Sequence, residues 1–239
     1  MGKFHFTFAS IHSQYQKALD SGYTFITCEE YVRTKVSLAP KTIVNRIDID
    51  LSIKKAKRLG DIYFELGIKA TFFVRLHALE YNPFSFENYR IIKSLIKDGH
   101  EIGYHSEIID QAAVWDESAA ECLTKDIDVI NKMYDIDITG IASHGGMTGL
   151  NNLDFWKEKK AEDFGLLYEA YDRDKFDLFH NSFYISDSEW TQWKCYDNGE
   201  LCKDDRRSFA DHLESDHELI YLLIHPDTYF DSHFYDNEK

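Results

Sequence analysis

The side chains that could do chemistry in this chain stand at the ends of its apolar runs. TIVNRIDID (42–50) closes on Asp48 and Asp50, and HEIGYH (100–105) closes on His105 with Glu107 two residues on. ITGIASHGG (138–146) carries His144, FYISD (183–187) ends on Asp187, and ELIYLLIH (218–225) ends on His225. Residues two apart on a strand point to one face, so Asp48 and Asp50 share a cavity. Two carboxylates there repel unless a cation or a shared proton relieves them. One can then bind a metal while the other remains a base. The competing reading is that one of them caps the helix beginning near Ser52, since Asp is a common N-cap residue.

His105 and Glu107 offer an imidazole and a carboxylate, suitable ligands for zinc, iron, manganese or nickel. His100, at odd spacing from His105, falls on the opposite face and is assigned to the strand entrance. After His144, Gly145 and Gly146 let backbone come close to a ligand and could present N–H groups to an oxyanion, or they make only a tight turn. His225, before Pro226, suits a general acid and equally a satisfied strand-end histidine. Trp190 and Trp193 in SEWTQWK could stack on a pyranose ring or simply pack.

These positions need a scaffold that gathers strand ends. The run 42–50 alternates and is β-branched; 51–67 has Ile53, Ala56, Leu59, Ile62 and Leu66 on one helical face before Gly67; 68–74 is a nearly continuous apolar strand. Strand, helix, strand in this order predicts a right-handed βαβ unit. The alternation continues with a helix over 86–99, a strand over 100–105, a long helix over 112–134, a strand over 138–146 and a helix around 153–170. Strands at 183–187 and 218–225 follow. A short helix (10–20), a strand (YTFIT) and a helix start (CEEYV) precede the core as an α/β lead-in over 1–41. Repeated βα units of this length imply a partly closed α/β barrel or a doubly wound sheet, whose ligand site lies at the carboxyl ends of the strands.

Composition narrows the partners. A chain of 239 residues with 44% hydrophobic residues sustains one α/β domain, and with three prolines and no low-complexity tract it offers no obvious boundary. The net charge of −15 repels phosphate backbones and anionic lipid, so nucleic acid is not an expected partner. The amino terminus lacks a signal-like apolar stretch and no run is long enough to span a bilayer, so a cytoplasmic protein is expected. Cys28, Cys122, Cys195 and Cys202 show no paired CxxC spacing, which predicts reduced structural thiols rather than a zinc knuckle or a disulfide framework.

Over residues 42 to 229 the chain resembles the polysaccharide deacetylase family, the NodB-type carbohydrate esterases. The resemblance rests on Asp48-Ile49-Asp50, on Ala70-Thr71-Phe72-Phe73, on Gly99-His100-Glu101-Ile102-Gly103-Tyr104-His105-Ser106 and on Leu222-Leu223-Ile224-His225, in that order. Arg46 before the aspartates, SGYTFITCEEY in the lead-in and Tyr184-Ile185-Ser186-Asp187-Ser188 resemble a divergent branch associated with surface-polysaccharide biosynthesis. The resemblance implies a single-domain distorted (β/α) barrel and metal-dependent removal of an acyl group, acetyl first, from an N-acylated sugar or glycan precursor. It implies a divalent ion, zinc first, with Asp50 and His105 as ligands, Asp48 as base and His225 as acid. Arg46, Gly145, Asp187 and Trp190 stand as candidate substrate contacts.

Two positions depart from that pattern. The family's second ligand histidine, four residues after the first, is Ile109 here, and Glu107 or His144, ahead of Asp110, could replace it in the metal shell. Ser143-His144-Gly145-Gly146 stands in place of an arginine-containing motif. Ile109 also motivates an alternative, a non-catalytic carbohydrate-binding protein on the same fold, while a hydrolase of another non-peptide C–N bond would use the same constellation on a different substrate.

Overall fold

The computed structural model describes residues 5–34, 37–215 and 217–232. The expected domain limits at residues 1 and 239 lie outside them. The strands are β1 (Thr24–Ile26), β2 (Thr42–Ile49), β3 (Thr71–Val74), β4 (Glu101–Ser106), β5 (Gly140–Ser143), β6 (Tyr168–Glu169), β7 (Phe183–Ser186), β8 (Lys194–Asp197), β9 (Glu200–Leu201) and β10 (Leu219–Ile224). The longer helices are α1 (Phe8–Asp20), α2 (Cys28–Thr34), α3 (Ile53–Leu66), α4 (Phe86–Lys97), α5 (Ile108–Trp115) and α6 (Ala119–Tyr134).

One sheet holds all the strands, in the order β6-β5-β4-β3-β2-β10-β7-β8-β9. The lead-in strand β1 pairs with the start of β2 (Thr24 opposite Thr42), whereas β3 pairs with its end (Arg46 opposite Thr71). Pairing is parallel from β6 to β7 and antiparallel only for β8 and β9. The parallel strands therefore end at one rim, which collects Asp48, His105, His144, Asp187 and His225 as the α/β reading requires. No helix among the described residues is long and apolar enough to cross a membrane.

β2 is buried along its whole length because both faces are covered. Ile43, Ile47 and Ile49 pack into the layer that holds α1, α3 and α4, while Val44 packs with Phe73, Tyr168, Tyr184 and Tyr221 on the other face. Arg46 and Asp48 share the parity of Val44, so they lie in that aromatic interior. The same alternation runs through β4. Ile102 and Tyr104 join the helical layer. Glu101 turns inward and accepts from Tyr168 Oη (2.6 Å) and Thr71 Oγ1 (2.5 Å).

Three expectations need correction. The long helix over 112–134 is two, because Asp116 takes a left-handed conformation (φ 56°) that closes α5 and Ser118 is extended before α6. The helix around 153–170 is instead two 3₁₀ segments, Asn152–Lys157 and Ala161–Phe164, stopped by left-handed Gly165 before β6. The β8–β9 hairpin was not anticipated, although Asn198-Gly199, both at positive φ, is the usual two-residue hairpin signal.

Gly103 shows how tightly the interior is packed. A Cβ there would lie 2.4 Å from the Phe73 ring and 3.0 Å from the Gly140 carbonyl oxygen. Gly103→Ala is expected to destabilise the protein by about 1–3 kcal/mol through overpacking, read as a lowered midpoint in chemical denaturation.

Candidate metal centre

The helix that follows β2 settles which side chain caps it. Ser52 is the N-cap of α3 and accepts from the Lys55 N–H, so neither aspartate is spent on capping. Both carboxylates face the rim. Asp48 is gripped by Arg46, whose Nε donates to Oδ1 (2.8 Å) and Nη2 to Oδ2 (2.7 Å). Arg46 is 1% exposed, lies over the rings of Phe73 and Tyr171, and donates a third bond to Tyr221 Oη. The expected substrate contact at Arg46 is therefore corrected. Buried two residues before Asp48 on the same strand face, Arg46 holds that carboxylate and at 1% exposure is shut off from a substrate. Burial acts to raise Asp48, but Arg46 and then His105 outweigh it and keep the carboxyl below its usual range.

His105 carries the central observation. Its Nδ1 lies 2.9 Å from the Ala142 carbonyl oxygen, which can only accept, so Nδ1 bears the hydrogen. Its Nε2 then faces Asp50 Oδ1 at 3.2 Å and Asp48 Oδ2 at 3.5 Å. A neutral ring in this tautomer would aim a lone pair at two carboxylates, so Nε2 must carry either a proton or a cation. Burial alone would lower the His105 pKa, yet Asp48 and Asp50 raise it. An imidazole whose other nitrogen donates to a backbone carbonyl is the usual arrangement of a metal-ligating histidine.

His144 arrives from the end of β5, where its N–H continues the ladder to the Ser106 carbonyl. Its Nε2 lies 3.8 Å from Asp50 Oδ1, and its ring meets that of His105 edge-on at 5.0 Å. Ligand atoms of Asp50, His105 and His144 all lie within 4.8 Å of one another, and the buried Asp50 Oδ1 has no hydrogen-bond partner. One carboxylate and two imidazoles fit a zinc-like divalent ion. Asp50 is held well below the ordinary carboxylate range, burial being outweighed first by His105.

Glu107, expected beside His144 as a ligand, has one of its two oxygens engaged. Its Oε1 accepts from Arg75 Nη2 (2.7 Å) and lies 3.3 Å from His144 Nδ1. Burial acts to raise Glu107, but His144 and Arg75 hold it down to about 2. Its Oε2 is buried with no hydrogen-bond partner, so Glu107 keeps one oxygen unengaged near His144. Asp110 is not a ligand, since it accepts from the N–H groups of Met147 and Thr148 and from Asn152 Nδ2, and so ties down the loop after β5. Ile109 packs against the core at the position that lacks a histidine. Arg75, one residue past β3, escaped notice because FFVR reads as the end of an apolar strand. It also donates to the Asp50 carbonyl (2.9 Å).

Across the rim, Asp187 is fully buried and is corrected from substrate contact to partner of His225. It accepts from His225 Nδ1 (2.7 Å) and from the His225 N–H (3.0 Å). Burial pulls the His225 pKa down, but Asp187 and the nearby Asp50 and Asp48 push it up to about 9. Its Nε2 faces the cluster, 4.0 Å from Asp50 Oδ2. Trp190 is 44% exposed and lies over His225, with ring centres 6.4 Å apart and an interplanar angle of 29°. It adopts φ 62°, rare for a bulky residue, and its N–H donates to the Asp187 carbonyl. Trp193 is buried and packs on Phe6 and Phe209. Gly145 is exposed with open space around it, whereas a Cβ at Gly146 would strike the Leu150 carbonyl oxygen, so Gly146 is the glycine the turn requires. His100 is buried, with Nδ1 accepting from the Ala70 N–H as its place at the strand entrance implies.

Two outcomes are expected. Arg46→Met leaves Asp48 buried without its cation and lowers stability by about 3–5 kcal/mol in chemical denaturation. In metal-free protein, His225 keeps its proton at neutral pH and loses it only near pH 9, and Asp187→Asn moves that titration down, both read by NMR of the ring.

No protein-family model matches the sequence, and no curated protein does. Among solved structures the chain is similar to IcaB from Ammonifex degensii, at 16% identity over 68% of this chain and 74% of that one, with a TM-score of 0.50. It is also similar to the catalytic domain of the peptidoglycan N-acetylglucosamine deacetylase from Eubacterium rectale (18% identity, 81% and 82% covered, TM-score 0.46). A third is the Streptococcus pyogenes deacetylase PplD in complex with acetate (21% identity, 55% and 59% covered, TM-score 0.42). The likeness to IcaB carries the fold. This chain shares the α/β fold of that structure, with Asp48, His105 and His225 at its strand-end rim.

Proposed function

We propose that the protein is a metal-dependent hydrolase that removes an N-acyl group, acetyl in the first instance, from a sugar or glycan precursor, on a distorted (β/α) barrel. One observation supports this above the others: His105, fixed by Ala142, aims Nε2 at Asp50 and Asp48 beside His144. Asp50, His105 and His144 would hold the ion, zinc by the nature of its donors. Bound there, it would polarise an amide carbonyl and lower the pKa of water from about 15.7 to about 7.

The remaining chemistry belongs to the side chains on either flank. Asp48, kept ionised and aligned by Arg46, takes a proton from the attacking water as its oxygen adds to the acyl carbon. A carboxylate so stabilised is a weak base, which is why it needs acidified water. His225, charged through its contact with Asp187, gives its proton to the nitrogen as the C–N bond breaks. A carboxylic acid and an amine leave, the acid giving its proton to solvent, and the proton on Asp48 restores His225 through solvent. Trp190, half open to solvent beside His225, offers an aromatic face to the sugar that carries the amide. The net charge of −15 favours neutral or cationic glycans over anionic ones.

The same fold could bind a glycan without turning it over, and the expected experiment separates the two. Zinc-loaded protein should release acetate from N-acetylated oligosaccharides, chelation should abolish release, and Asp48→Asn or His225→Ala should lower the rate by roughly 10²–10⁴-fold while glycan binding persists. Glycan binding without acetate release from the loaded protein would sink the hydrolase reading.

A further inference from the structure

A second group of ligand-type side chains lies in the β8–β9 hairpin and the segment after it. Cys195, Cys202, Asp205 and His212 are spaced C-x6-C-x2-D-x6-H, which hides them from a search for CxxC pairs. The hairpin closes the first interval: Tyr196 pairs with Leu201, and the Cys202 N–H donates to the Cys195 carbonyl (3.0 Å), so the two cysteines face each other across the strands. Cys195 belongs to the helical layer of the core, whereas Tyr184 and Tyr221 lie in the aromatic interior on the other face.

Ligand atoms of Cys195, Asp205 and His212 lie within 4.8 Å of one another. His212 is 98% buried by its 2% exposure, and its Nε2 has no hydrogen-bond partner, with Asp205 Oδ1 3.7 Å away. A buried imidazole nitrogen left unpaired costs about 1–3 kcal/mol, a penalty that an ion bound there would remove. Tetrahedral zinc with bonds of 2.0–2.3 Å places its donors about 3.3–3.8 Å apart, so small side-chain rotations would close the group.

We propose that Cys195, Asp205 and His212, completed by Cys202 through a change of rotamer, form a thiolate-containing site for a divalent transition metal, zinc by the softness of its donors. The charges agree with this. Two thiolates and a carboxylate around a dication leave one negative charge, and Arg207 answers it by donating to both oxygens of Asp205 (Nε 3.1 Å, Nη2 2.6 Å). Zinc here would fasten the hairpin to the short helix Phe209–His212. The loop carrying Asp187 and Trp190 runs directly into β8, so the same ion would anchor one end of the loop that holds His225.

Cobalt distinguishes this site from the Asp50 cluster, which contains no sulfur. Full-length protein, reduced and freed of metal, is titrated with Co²⁺. The expected result is a near-ultraviolet thiolate-to-cobalt absorption band that persists in His105→Ala and is displaced by Zn²⁺. Cys195→Ser should weaken the band, and Cys195→Ser with Cys202→Ser should abolish it. Cys202→Ser, at a half-buried position that circular dichroism should show still folded, should weaken cobalt binding by at least roughly tenfold. Cobalt uptake without a sulfur band overturns the proposal. So does a Cys195–Cys202 disulfide, seen by mass spectrometry, whose reduction brings no metal uptake.

Discussion

Two carboxylates at the end of one buried strand set the problem that the surrounding structure solves. Asp48 and Asp50 lie where little water screens them, and like charges so placed must be answered by cations or lose their ionisation. Arg46 answers Asp48 from within the same strand, through a two-residue spacing that brings a guanidinium and a carboxylate to one face. Asp50 has no such partner. What faces it is His105, His144 and, further off, His225, a ring of imidazoles around one unpaired carboxylate oxygen.

Two of these imidazoles are held from behind by an oxygen. Ala142 fixes the His105 tautomer and Asp187 orients and charges His225, while Glu107 lies near His144. Arg75 ties these halves together, since it bonds both Glu107 and the backbone carbonyl of Asp50. The difference between His105 and His225 then follows from their surroundings. The first has its free nitrogen aimed between carboxylates; the second has an acid behind it and lies under Trp190.

The errors in reading elements share a cause. Asp116 and Gly165 stop helices by adopting left-handed backbone, and hydrophobic periodicity is blind to a single residue of that kind. The Asn198-Gly199 hairpin was legible as a turn signal, but β9 is two residues long and exposed, so no alternating pattern marked it as a strand. Arg75 was hidden by the apolar run it terminates, and Asp187 looked available only because burial is not written in a residue's type.

The sequence by itself determined the parallel βα order and the placement of Asp48, Asp50, His105 and His225 together at one rim. Those follow from local rules: a strand's two-residue alternation sends Asp48 and Asp50 to one face, and parallel strands collect their ends together. Tertiary structure alone decided between His144 and Glu107 as neighbour of Asp50, withdrew Arg46 and Asp187 from the solvent, and brought Cys195 to His212. Each of those outcomes depends on residues far apart in the chain whose relative positions are set by packing, and two side chains compete for one charge only once the fold has placed them within a few ångströms.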